Sequence, residues 1–188
     1  MEPPRARRVP PPHGATSLVP QIHLVESDPE HFAAGLVETF LPYDSREHRR
    51  DEEHAERVLE MLRARGLRPD ACLSYWDDCV VLTALLCQRL GLPGCPPAAV
   101  RLAKQKSRTP PAAFSVPCRR LRSHGDVERA AGAVPFPAVA KLEFGAGAVG
   151  VRLVENAGQC HAHAAQLWHD LRADADHPGI GLGWGNAM

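Results

Sequence analysis

Lys141 closes the run Phe136-Pro137-Ala138-Val139-Ala140-Lys141, and four residues later a stretch of small side chains begins, Gly145-Ala146-Gly147-Ala148-Val149-Gly150. A lysine at the end of a short apolar strand projects a fixed positive charge into a cleft. A glycine-rich turn leaves its backbone N–H groups unshielded by side chains. Together they make a phosphate cradle, in which amides give direction and the ammonium gives charge; each charge-assisted hydrogen bond contributes about 1.5–3 kcal/mol. The same residues also read as an ordinary hairpin loop with a lysine upstream. Lys106 is the second cation of interest. It ends a short helix expected over residues 98–106, where a lysine either complements the helix dipole or reaches a ligand. Lysine is scarce in this chain: among 22 basic residues only Lys104, Lys106 and Lys141 are not arginine.

Other groups carry weaker signals. Asp77-Asp78 stands at a strand-to-helix switch, where carboxylates either cap the helix or face a ligand at the carboxyl end of a parallel sheet. His161 and His163 lie two apart, so they diverge on a helix and read as solvated side chains. Trp76 and Trp168 read as core. The six cysteines have no C-x-x-C spacing, which argues against a structural zinc site. No secretory signal precedes them, so reduced thiols and a cytoplasmic setting are expected. No residue is assigned to catalysis or to metal ligation.

These groups need elements to hold them. Residues 1–20, with six prolines and Arg5-Ala6-Arg7-Arg8, read as a disordered leader. From residue 21 the pattern alternates: a strand at 22–25, a helix opened by Asp28-Pro29, a strand at 40–43, an amphipathic helix at 51–65 stopped by Gly66, a strand at 71–76, and an apolar helix at 79–90 ended by Gly91. This βαβαβα order predicts α/β architecture, a parallel sheet covered on both faces in three layers. Strands at 113–116, 138–142 and 149–154 follow, the last two joined by the glycine turn as an antiparallel hairpin. Asn156 with Gln159 resembles a capping box before a helix whose apolar face is Cys160, Ala164, Leu167 and Leu171. The second half therefore reads as α+β. Residues 175–188 read as a tail that closes no core.

Composition bounds the functions available. The 188 residues carry 22 basic and 22 acidic side chains, which argues against a nucleic-acid binder that needs a basic excess. No stretch approaches the roughly 20 apolar residues that span a bilayer.

The order of these features, with Leu90-Gly91-Leu92-Pro93-Gly94 before the first lysine pair, resembles the ATP-grasp superfamily. The resemblance implies a pre-ATP-grasp domain at 21–106 and part of an ATP-grasp small subdomain at 107–174. It implies ATP as cofactor, with Lys106 and Lys141 on its phosphates and residues Gly145, Ala146, Gly147, Ala148, Val149 and Gly150 as the loop that closes over them. The run of residues 24–78 resembles ligases of that family that activate β-alanine as an acyl phosphate and pass it to L-histidine. Magnesium is implied by the family, but its ligands lie in a large subdomain expected beyond this chain. Departures are Gln105 where the family often has aspartate, Leu142 where it often has proline, and a short linker between Lys106 and Pro110. Pre-ATP-grasp domains can pair, so a homo-oligomer is among the expectations. A non-catalytic partner, docking through the apolar helix at 79–90, is the alternative reading.

Overall fold

β1 (His23–Glu26) and β2 (Thr39–Pro42) pair in parallel, with His23 opposite Thr39 and Glu26 opposite Pro42. The structure is a computed structural model that describes residues 20–108, 116–144 and 148–173. It divides into two compact units, Met1–Tyr43 and Asp44–Met188. Parallel strands need a crossover, and in the first unit that crossover holds a single 3-10 turn, Phe32–Gly35. The helix expected from Asp28-Pro29 does not form. Asp28 Oδ1 instead accepts from the Glu30 N–H at 2.9 Å, a local turn. Phe32 and Leu36, which an amphipathic helix would bury, are 80% and 72% exposed.

In the second unit, α1 (Asp51–Ala64) buries Ala55, Val58, Leu59 and Leu62, one face at helical spacing. The chain leaves it through Gly66 at φ 65°, a left-handed conformation that glycine adopts without penalty. α2 (Val80–Leu90) ends the same way at Gly91, φ 68°. It packs against α1 and α3 (Pro97–Lys104) and buries Val81, Leu82, Ala84, Leu85, Leu86 and Cys87. Its lack of a wide wet face is thereby explained within the unit. Glu52 on α1 links the three helices at the surface, binding Arg89 of α2 and Arg101 of α3.

The third strand expected at 71–76 is absent. A strand exists only through its ladder, and here the Cys72 carbonyl takes the Cys87 thiol of α2 at 3.6 Å instead. Leu73, Tyr75 and Trp76 stand 66%, 99% and 58% exposed, so Trp76 is not core. The parallel sheet among the described residues therefore has two strands rather than the three expected; mixed α/β is what remains of that expectation.

β3 (Ala138–Ala140) and β4 (Arg152–Val154) pair antiparallel, with Val139 opposite Leu153. Ala138, Ala140 and Val154 face a small core with Val127, Cys160, Ala164 and Trp168, whereas Val139 and Leu153 are each 57% exposed. The strand expected at 113–116 falls largely outside the described residues, as do the leader and the tail. α5 (Ala157–Ala173) starts where Asn156 Oδ1 accepts from the Gln159 N–H at 3.0 Å. Gln159 Oε1 accepts from Glu155 N rather than from Asn156 N. All six cysteines are free; burial pushes the Cys72 thiol up to about 11. No helix among the described residues is long and apolar enough to cross a membrane.

α4 (His124–Ala131) has no counterpart in the expectations above. Its start is fixed by Asp126, whose carboxylate accepts from the N–H groups of Arg122 at 2.7 Å and Ser123 at 2.9 Å. The Arg122 N–H, then the Arg129 guanidinium and the Ser123 hydroxyl, hold the Asp126 carboxyl at about 2, below its ordinary 3.8. A carboxyl depressed on folding stabilises fully above its ordinary value, and that contribution is lost as pH falls through the folded value. Acid titration of Asp126→Asn against the parent chain is therefore expected to lack the part of the stability loss that lies between about pH 4 and pH 2. Circular dichroism at graded pH reads the difference, and coincident acid curves would count against this cap.

Candidate functional site

Lys104 is the last residue of α3, and the backbone turns extended at Gln105. This lysine, rather than Lys106, takes the interior position, with 8% of its side chain exposed. Its Nζ donates to the Asp77 carbonyl at 3.0 Å, to Asp77 Oδ2 at 2.8 Å and to Asp78 Oδ1 at 2.9 Å. Asp78 is itself buried. The two aspartates thus do not cap α2 with their side chains; Asp78 is closed to a ligand, whereas Asp77 pairs with Lys104 while its side chain stays 61% exposed. They hold the 3-10 turn Asp77–Cys79 to the end of α3.

Two residues further on, the half-buried Lys106 donates from Nζ to the Glu143 carbonyl oxygen at 3.3 Å. Ser107 donates to the Glu143 carboxylate from its N–H at 3.3 Å and from its hydroxyl at 2.9 Å, both to Oε1. Glu143 is only 6% exposed and lies two residues past Lys141. One residue therefore ties the segment behind α3 to the segment behind β3, through main chain and side chain together. In consequence Lys106 and Lys141 come into electrostatic reach of one another. Burial pushes the Lys106 ammonium below its ordinary pKa; the charges of Lys104 and Lys141 push the same way, against Asp77 and Glu143. Lys141 is exposed and takes part in no ion pair among the described residues.

Residues 145–147 lie outside the described residues, so Gly145, Ala146 and Gly147 are not placed. The stems on either side are. Leu142 and Phe144 are buried at 2% and 9% exposure. On the return, Ala148 has φ 59° and Gly150 φ 68°, with Val149 between them. His163 Nε2 meets the Gly150 carbonyl at 2.9 Å, which assigns the Nε2–H tautomer. A Cβ at Gly150 would stand 2.8 Å from Leu167 Cδ2 and 3.3 Å from Leu142 Cγ. Residue 150 is thus pressed onto α5, and its carbonyl is taken up there. His163 has a structural contact rather than the solvated position expected of it. His161 is exposed, with its ring 5.1 Å from that of His124.

Sequence reasoning passed over Glu143, gave Lys104 no role beyond the scarcity of lysine, and read His163 as solvated. For Glu143 a signal exists: it is the one charged residue between Leu142 and Phe144, both of which are buried. Nothing in its type separates it from a solvated carboxylate.

Comparison with known proteins bears on this arrangement. Residues 16–94 match the ATP-grasp N-terminal domain. Carnosine synthase 1 of Gallus gallus is 93% identical over 89% of this chain. The proteins of the same name from Homo sapiens and Mus musculus are 62% and 58% identical, each over 89% of the chain. The chain spans 19% of the length of the Gallus gallus protein and 22% of each of the other two. Those spans run well past the matched domain and take in the positions of both Lys106 and Lys141, which lie far from either end. Residues 16–94 are thus similar to the ATP-grasp N-terminal domain, in a chain similar over 89% of its length to about a fifth of carnosine synthase 1.

Proposed function

We propose that the chain supplies the N-terminal domain and the phosphate-holding lysines of an ATP-dependent carboxylate–amine ligase of the carnosine synthase kind. The observation that supports this most is the juxtaposition of Lys106 and Lys141 beside the two anchored stems of the glycine-rich loop. In such a reaction ATP phosphorylates the carboxylate of β-alanine, giving an acyl phosphate and ADP. The α-amine of L-histidine then attacks the carbonyl carbon and expels phosphate, leaving carnosine.

The residues of this chain would act on the polyphosphate. Two ammonium groups held near one another repel in the free protein, and a phosphate placed between them relieves that repulsion. Binding would therefore favour the charged form of Lys106, against which burial, Lys104 and Lys141 act. Residues 145–150 would cover the phosphates from one side.

Magnesium neutralises phosphate oxygens in transfers of this type, but the acids beside the lysines do not fit that duty. Asp77 and Asp78 are committed to Lys104, and Glu143 Oε1 to Ser107. Among the described residues, no three His, Cys, Asp or Glu side chains come together as metal ligands. No catalytic residue is assigned. The compartment we propose is the cytoplasm, which keeps thiols such as the six here reduced. The alternative of a partner docking through residues 79–90 loses its surface, because the apolar side chains of α2 are spent on α1 and α3.

Calorimetric titration of the chain with ADP tests the reading. Lys141→Ala is expected to weaken ADP binding about tenfold or more, the worth of one charge-assisted phosphate contact. Its melting temperature should not move, since Lys141 is exposed. Unaltered affinity would defeat the assignment of Lys141 to phosphate.

A further inference from the structure

We infer that Glu143 is the positioning residue that holds Lys106 beside Lys141, with Ser107 as its counterpart. The inference rests on the phosphate-binding reading for its purpose, though the coupling it describes does not depend on nucleotide.

Three bonds converge on this one residue. Its carbonyl takes the Lys106 ammonium, and Oε1 of its carboxylate takes both the amide and the hydroxyl of Ser107. The residues joined are 36 and 37 apart in sequence, so no local rule of helix or turn brings them together. Leu142 and Phe144 on either side are buried. They fix the backbone of this stretch and leave Glu143 aimed at the segment behind α3. A buried carboxylate is costly unless hydrogen-bonded. Glu143 therefore favours the one arrangement in which Ser107 is at hand, and Lys106 comes with Ser107 as its neighbour in sequence.

Its geometry also sets the spacing of charge. Lys141 precedes Glu143 by two residues and Lys106 precedes Ser107 by one, so the two ammonium groups enter from separate segments. Among the described residues, the charges of Lys104, Asp77, Lys141 and Glu143 act on Lys106. Lys104 and Asp77 are fixed by their own ion pair at the end of α3. Removing the Glu143 contact therefore alters the Lys141 contribution while leaving that of Lys104 in place.

The test uses the whole chain. With three lysines, each side chain can be followed separately by its ε-methylene carbon in NMR. Lys141→Ala is expected to raise the titration midpoint of Lys106 in the parent chain and to raise it clearly less in a Glu143→Ala background, which keeps the carbonyl at 143 but loses both bonds to Ser107. Glu143→Gln, whose amide oxygen still accepts both bonds from Ser107, is expected to keep the response to Lys141. Ser107→Ala, a smaller change, reports on the same contact if Glu143→Ala does not fold, and is expected to reduce that response. ADP and inorganic tripolyphosphate are each expected to bind Glu143→Ala about tenfold more weakly, and Glu143→Gln within about twofold of the parent. A response to Lys141 that persists undiminished in Glu143→Ala, or in Ser107→Ala where the former is unfolded, overturns the inference. Coupling lost with polyphosphate affinity unchanged upholds the positioning role and overturns the phosphate reading instead.

Discussion

Replacing Lys104 by methionine is expected to destabilise the chain by about 3–5 kcal/mol, the cost of leaving a buried charge without its partner. Three acceptors lose their donor at once: the Asp77 carbonyl, Asp77 Oδ2 and Asp78 Oδ1. Asp77 is 61% exposed at its side chain and turns to water, but Asp78, at 9%, cannot. For a chain of this length each kcal/mol moves the melting temperature by about 2–4 °C, so a fall of about 10 °C is expected. Coupling Lys104→Met with Asp78→Asn should recover most of it, because the pair is then removed together rather than split. Calorimetric melting of the two variants decides the matter. A single variant that melts with the parent would show that the interior accommodates Asp78 charged and alone.

Gly150→Ala is the second substitution with a large expected effect, and it acts on both stability and binding. At φ 68° a side chain costs about 1–2 kcal/mol in backbone conformation alone. The added methyl would also meet Leu167 Cδ2 at 2.8 Å and Leu142 Cγ at 3.3 Å, and crowding of that kind typically adds at least about 1 kcal/mol. Relief by shifting the stem away from α5 would lengthen the His163 contact to the Gly150 carbonyl. The expected result is a loss of about 2–3 kcal/mol in denaturant unfolding, with weaker ADP binding at temperatures where the chain remains folded. Binding retained at full strength would mean that the position of this stem is immaterial to the ligand.

Helix positions in this chain are legible because periodicity and stop signals agree. Ala55, Val58, Leu59 and Leu62 recur on one face of α1, and Gly66 and Gly91 supply the left-handed exits that end α1 and α2. The segment at 71–76 misleads for a definite reason: its residues favour a strand, but a strand needs a neighbour, and Cys72 finds Cys87 of α2 instead. α4 escapes notice because Val127 is its one fully buried residue, too little for a periodic pattern; the Ser123-x-x-Asp126 spacing was the available clue. At the site, Lys106 and Lys141 announce themselves by the scarcity of lysine and by the family pattern. What links them does not. Contacts across 36 residues, made by a carboxylate that composition counts as one more surface charge, become visible only in three dimensions.

The confinement of every lysine to one neighbourhood has a practical consequence. The remaining cationic side chains are arginines, which acylating reagents and reductive methylation leave untouched. Apart from the α-amine at its start, the polypeptide offers covalent amine chemistry a single address, with Lys104 sheltered inside it and Lys141 on its outer edge. A fluorophore introduced by such chemistry would report on that address alone, without any engineered cysteine.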